Sequence, residues 1–212
     1  MEAWSYTNLL QINLAQGNYT EAIQRGEQAA SIFPKGSSQL GSFVVAHLQK
    51  ATWSHGDYEH SARLGRELIE VLHKFPGFAR LYPHIWLGRM ALSQDNLSQA
   101  EDQLKQALSG IDTIFKSFEY VDLLNMIDFL QPFIVLFRKQ GKMLQAARLL
   151  GATDAVFENI RLGLSPRERS EHDEALTAVR SELGDKAYTA DWEAGRELTP
   201  RQAIQELLAS PG

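Results

Sequence analysis

The sequence predicts an all-α fold built from stacked helical hairpins, and three observations carry the prediction. Residues 86–108 hold two apolar stripes at helical spacing. Trp86, Leu87, Met90 and Ala91 precede a polar break at Gln94-Asp95-Asn96, and Leu97, Ala100, Leu104, Ala107 and Leu108 follow it. The break has counterparts at Gly17-Asn18-Tyr19 and Gly56-Asp57-Tyr58, so Gly17, Gly56 and Asp95 recur at intervals of 39 residues. A fixed period of that size marks stacked supersecondary units. After Gly163 the period stops, and two capping boxes open shorter amphipathic helices. The expected division is a helical repeat array over 1–162 and a C-terminal capping segment over 163–212.

In chain order, the first hairpin pairs a helix over 2–15, with Tyr6, Leu9, Leu10 and Leu14 inward, with one over 19–33 that Pro34 closes. Gly17 and Gly56 suit the left-handed conformation that ends a helix, and Asn18 and Asp57 can cap the next one. The second hairpin joins 38–54 (Phe43, Val45, Leu48, Trp53) to 58–74 (Ala62, Leu64, Leu68, Val71, Leu72), where Pro76 stops it. The third enters near Tyr82-Pro83 and runs to residue 115, with Gly88, Ala100 and Ala107 small enough for close helix approach. The fourth pairs an apolar helix over 121–139 with one over 144–161 around Gly141, 46 residues after Asp95. Pro132 should kink that apolar helix or mark its true start. Ser165-Pro166-Arg167-Glu168 then opens a helix that Gly184 stops. A short helix over 185–194 carries Tyr188 and Trp192 and ends at Gly195. Thr199-Pro200-Arg201-Gln202 opens the last helix, with Ala203, Ile204, Leu207 and Leu208 inward.

Composition narrows the function classes. The net charge of -5 offers no basic field for nucleic acid or an anionic membrane. The acid excess falls late: from Gly163 onward 6 Lys+Arg face 10 Asp+Glu, or -4, leaving -1 before it. The chain has no cysteine, which removes disulfide and thiol chemistry and suits a reducing compartment. Its longest apolar run, near Phe133 to Phe137, is far short of the roughly 18–20 residues of a membrane span. The N-terminus is amphipathic and begins with an acid, unlike a signal peptide. A cytoplasmic protein with no direct nucleic-acid or membrane contact is expected.

The hairpins resemble tetratricopeptide repeats. The resemblance lies in Gly17-Asn18-Tyr19 with Ala22, Ala29 and Pro34, in Gly56-Asp57-Tyr58, in Leu87-Gly88 with Ala100, Leu104, Ala107 and Leu108, and in Gly141 with Ala146. Gly26 and Gly65 stand where the family prefers a bulky aromatic, and the period exceeds the usual 34. The resemblance implies a right-handed α-solenoid of about four hairpins whose first helices line a concave binding face, with no catalytic residues. A narrower resemblance covers about 140–208. It lies in the Leu149-Leu150-Gly151-Ala152 and Trp192-Glu193-Ala194-Gly195-Arg196 elements, with Pro166, Arg169, Ala175 and Arg180 between them. It is similar to the region after the repeats in bacterial LuxR-type and signal-transduction ATPase regulators, and implies a sensor or scaffold part of such a regulator. No GxxxxGK[ST] phosphate loop occurs in the chain.

Catalytic constellations are sparse. His47, His55, His60, His73, His84 and His172 form no HExxH or paired zinc spacing, and no GxSxG elbow is present. His55, Asp57, Glu59 and His60 crowd a turn, and Glu171, His172, Asp173 and Glu174 crowd a helix. A solvated turn and a charged outer helix face account for them. The expectation is a non-enzyme without cofactor or metal. Register matching puts Gln11, Lys50 and Arg89 at one inward slot of successive first helices, extended by Val135 and Arg138, with Thr7, Ala46, Ile85 and Gln131 one turn earlier. At helical spacing beside leucines, Trp4, Trp53, Trp86 and Trp192 read first as core or inter-repeat packing. The alternative is a ligand-contacting aromatic on the concave face, best for Trp53 and Trp4, with Tyr82 joining them. Basic groups there favour a carboxylate or acidic peptide, from a protein partner or a small-molecule inducer. The alternative is that Lys50 and Arg89 are solvated charges paired with nearby Asp or Glu. The same region could also act within one chain, as an autoinhibitory segment of a regulatory ATPase. The first helix has no hairpin before it, so a homodimer through terminal hairpins is expected.

Overall fold

A computed structural model describes residues 2–33, 39–72, 81–117, 123–159 and 165–209. Among them are eleven helices and no strand, so the fold is all-α. The helices are α1 (Glu2–Gln16), α2 (Tyr19–Ile32), α3 (Gln39–His55), α4 (Tyr58–Leu72), α5 (Leu81–Ser93), α6 (Leu97–Ser117), α7 (Leu123–Lys139), α8 (Met143–Asn159), α9 (Pro166–Leu183), α10 (Asp185–Arg196) and α11 (Pro200–Ala209). Pro34, His73, Pro76 and Gly163 lie outside the described residues.

The breaks behave as their residues dictate. Gly17, Gly56 and Gly141 take φ of 79°, 95° and 74°, and at the third break Asp95 takes φ 55°. Aspartate is among the few side chains that tolerate this region. Asp57 and Asn96 cap the following helices, accepting from the backbone N–H of His60 at 3.1 Å and of Gln99 at 3.2 Å. Asn18 does not cap α2. Its amide instead donates to the side chains of Asn13 and Gln16. Both C-terminal capping boxes form, Ser165 with Glu168 and Thr199 with Gln202.

Consecutive helices pack on each other from α1 to α8, and a second set of contacts joins α1 to α3, α3 to α5, α5 to α7 and α7 to α9. The odd-numbered helices therefore form one continuous row. α10 lies along α8, and α11 bridges α6, α7 and α8. The largest apolar core joins α5 to α11, with Phe129, Leu130, Ile134, Leu104 and Leu150 at its centre. Smaller clusters sit between α3, α4 and α5 (Trp53, Leu68, Tyr82, Trp86) and between α1, α2 and α3 (Leu10, Leu14, Ala22, Ala51).

Four expectations are corrected. α7 begins nine residues before Pro132, so the proline lies within it. Burial in the main core outweighs the backbone bond that proline removes. α10 continues through Gly195 to Arg196, because Gly195 serves a close crossing and not a stop. Leu9 and Leu208 point outward, at 41% and 43% exposure, while Leu10, Leu14, Ile204 and Leu207 take the buried arcs.

Candidate functional site

The row of odd helices brings its charges to one place. Lys50 on α3 reaches Asp128 on α7 at 2.7 and 3.0 Å, and Glu168 on α9 at 2.7 Å. Glu168 has a double role. Its other oxygen accepts from the backbone N–H and hydroxyl of Ser165, at 3.1 and 2.7 Å, closing the cap of α9. Two carboxylates thus share one ammonium inside the molecule. Burial and the neighbouring Glu168 push the Asp128 carboxyl up to about 7 against the pull of Lys50. Burial also opposes the charge on Glu168, but Lys50, a hydrogen bond from Asp128 and Arg89 hold it well below the usual carboxylate range. Of the two, Asp128 is the carboxyl that takes up a proton more readily. Burial opposes the charge on Lys50, and Asp128 and Glu168 overcome it and hold the ammonium charged.

Arg89 on α5 is buried with 4% of its side chain exposed, its guanidinium 4.8 Å from the Trp53 ring centre and 4.9 Å from that of Trp86. One nitrogen donates to Glu171 on α9 at 2.9 Å, while Nε and Nη2 have no acceptor. The two indoles supply π faces in their place. Arg167, at the start of α9, stacks 4.0 Å from the Trp53 ring. It donates to the carbonyls of Trp53 and Ser54 at 2.9 and 3.1 Å and to the Tyr58 hydroxyl at 2.8 Å. Those carbonyls belong to the last turn of α3, so a cation sits at the negative end of that helix. Beside it, Pro166 packs against Gly17, and the Arg167 backbone N–H donates to the Tyr19 hydroxyl at 3.2 Å. The first turns of α9 thus touch side chains or backbone of α2, α3, α4, α5 and α7.

Of the residues singled out in the sequence, Lys50, Trp53 and Arg89 converge in this cluster. Tyr82 is buried in the adjoining apolar cluster. Its ring centre lies 5.9 Å from that of His47, which bonds Gln11 at 3.2 Å on the α1 side. Burial, and secondarily Lys50, lower the His47 pKa to about 4, so its ring is neutral, with Nδ1 donating to the Phe43 carbonyl and Nε2 accepting from Gln11. Arg138 lies half-buried on the wall of a cleft of about 200 Å3, with Trp53, Arg89, Pro132 and Glu174 also lining it. Thr7, Ala46, Ile85 and Gln131, one turn earlier in register, are all buried.

The acidic run of α9 is not a solvated outer face as a whole. Asp173 and Glu174 are exposed, but Glu171 is half-buried and His172 buried. His172 Nε2 bonds Asp154 at 2.6 Å, and its Nδ1 meets the Gln131 amide at 3.2 Å. Trp192 Nε1 donates to the other Asp154 oxygen at 2.7 Å. The ring nitrogens of His172 and both Asp154 oxygens are engaged, so the network ties α7, α8, α9 and α10 together. At the α3–α4 turn, His60 lies 3.8 Å from Asp57. Among the described residues no group of three or more His, Cys, Asp or Glu side chains could hold a metal ion, and no helix is long and apolar enough to cross a membrane.

Asp128 was not singled out from the sequence; Arg167 and Glu168 entered only through a capping box, and Glu171 only through the acidic run of its helix. One signal was available. Asp128 is the single acid in α7, and a lone acid in an apolar helix demands a buried cation. Comparison with protein-family models, with curated proteins and with solved structures gave no match.

Proposed function

We propose that this chain is a non-catalytic interaction or sensor scaffold of the tetratricopeptide-repeat type, a solenoid of about four hairpins whose row of first helices recognises an acidic segment. One observation carries the reading. Lys50 and Arg89, one 39-residue period apart, receive Glu168 and Glu171 from a helix outside the four hairpins. The row already acts as a receptor for a helix with carboxylates one turn apart, and α9 is its present occupant. Trp53 and Trp86 add flat apolar walls, which suit a helix better than a flexible anion. The role in a bacterial signalling or transcription regulator follows from the resemblance of residues 140–208.

Occupation by α9 also favours a second reading, that the segment acts within its own polypeptide. The inner face would then be closed until a signal, an inducer or an acidic partner displaces α9.

Binding of a synthetic peptide of residues 165–176 tests the receptor reading. The Glu168→Ala, Glu171→Ala double variant, with α9 loosened, is expected to bind the peptide at least about tenfold more tightly than the unchanged chain. Adding Lys50→Glu and Arg89→Glu should abolish that binding while helical circular dichroism persists. No binding to the loosened variant, or binding indifferent to the charge reversals, contradicts the proposal.

A further inference from the structure

The cleft beside the charge cluster holds a cation that nothing balances. It encloses about 200 Å3 among α3, α5, α7 and α9. Among the described residues four cations line it, Arg89, Arg138, Lys139 and Arg167. Three of them are engaged. Arg89 and Arg167 share Glu171, at 2.9 and 3.4 Å, and Lys139 pairs with Asp95. Arg138, half-buried, has neither a hydrogen-bond acceptor nor an ion-pair partner among the described residues. Glu174, on the same lining, is exposed and accepts from the Ser170 hydroxyl at 3.0 Å. Setting Glu171, Glu174 and Asp95 against the four cations leaves one positive charge over, in a chain whose net charge is -5.

Size and lining narrow what could answer that charge. A cavity of about 150 Å3 holds a benzene ring, so this one takes a ring of that size with one small group attached. Leu92, Pro132 and Val135 give it an apolar wall. A guanidinium presents a planar fork of N–H donors that matches a carboxylate.

We propose that the cleft binds a small monocarboxylate with a flat apolar body, its carboxylate on Arg138 and its body against Leu92, Pro132 and Val135. One negative charge balances the unpaired cation. A dianion would set its second charge against Glu171 and Glu174. α9 supplies one wall through Arg167, Glu171 and Glu174, so the ligand binds with α9 seated and holds it there. The site is therefore distinct from the receptor role of the row, in which an acidic segment takes the place of α9, and neither depends on the other.

Benzoate is the probe, with benzamide as its neutral counterpart and inorganic phosphate at pH 8 as a dianion. Calorimetric titration of the full chain should show saturable binding of one benzoate, with benzamide and phosphate at least about tenfold weaker. Arg138→Gln should weaken benzoate at least about tenfold with unaltered circular dichroism, and so should Ser93→Trp, which adds bulk to the lining from an exposed position. Benzoate should also slow hydrogen–deuterium exchange over residues 167–175. Absence of saturable binding overturns the proposal, and so does binding that either substitution leaves unchanged. Equal binding of benzamide or phosphate contradicts it as well. Faster exchange over 167–175 would sink it too, because the ligand would then displace α9. Failure of the 165–176 peptide to bind bears on the receptor reading alone.

Discussion

Lys50 is held by two carboxylates where one would balance its charge, and this arrangement sets the response to pH. Asp128, pushed up to about 7 from an ordinary value of 3.8, binds its proton more tightly in the folded chain than in the unfolded one. Its contribution to stability is complete below the unfolded value and is lost as pH rises through about 7. His47 works the other way. Its folded value of about 4 lies below the ordinary 6.5, so its contribution is present above 6.5 and is lost as pH falls toward 4. The two slopes oppose each other between about pH 4 and 6.5, which single substitutions can separate. Thermal unfolding of Asp128→Asn should rise from pH 4 to 6.5 and then level off, whereas His47→Gln should lose stability steadily up to about pH 7.5. Removing the cation is costlier than either. Lys50→Met removes the cation that both buried carboxyl groups share and should cost about 3–5 kcal/mol in urea unfolding at neutral pH. Lys50 and Arg89 were visible in the sequence as a periodic pair. Their partners were not. Asp128, 78 residues from Lys50, stands two periods of 39 away, but the 46-residue spacing of the last break puts Val135 in that slot; Glu168, 118 residues away, follows no common period with Lys50.

At the scale of elements, the clearest fit of residue to place is the crossing of α8 and α10. A Cβ at Gly151 would collide with the Trp192 carbonyl, and one at Gly195 with the Arg148 carbonyl. The Leu149-Leu150-Gly151-Ala152 and Trp192-to-Arg196 elements are thus two halves of a single contact. Two ion pairs flank it, Arg148 with Glu206 and Arg196 with Glu158. Alanine ordinarily stabilises a helix over glycine by roughly 0.5–1 kcal/mol. Here Gly195→Ala should destabilise by about 1–3 kcal/mol, because backbone on the far side must give way. A denaturation midpoint at or above that of the unchanged chain would refute the crossing. Helix positions were legible because the breaks carry their own chemistry: glycine or aspartate in the left-handed region at Gly17, Gly56, Asp95 and Gly141, and side-chain caps at Asp57, Asn96, Ser165 and Thr199. The orientation of α1 and α11 was not legible. Leu9 beside Leu10, and Leu208 beside Leu207, offer two apolar arcs, and only the neighbouring helices decide between them.

For the whole molecule, the row from α1 to α9 makes the inner face a shared property of helices distant in the sequence. The repeat spacing predicted the neighbours α1, α3 and α5; Lys50 and Arg89 meet in one cluster, while Gln11 bonds His47 on the α1 side. What that spacing could not show is that α9 folds back onto the row. A helix with Glu168, Glu171 and Asp173 reads locally as solvated, and its placement depends on Trp53, Trp86 and the open last turn of α3. The central claim is that the charges of the row hold the first turns of α9 in the groove. Hydrogen–deuterium exchange of the full chain, with and without Lys50→Glu and Arg89→Glu, tests it most directly. The account predicts that amides of residues 167–175 lose protection while α8 and α10 keep theirs. Unchanged protection over 167–175 would contradict it, and so would an equal loss across every helix.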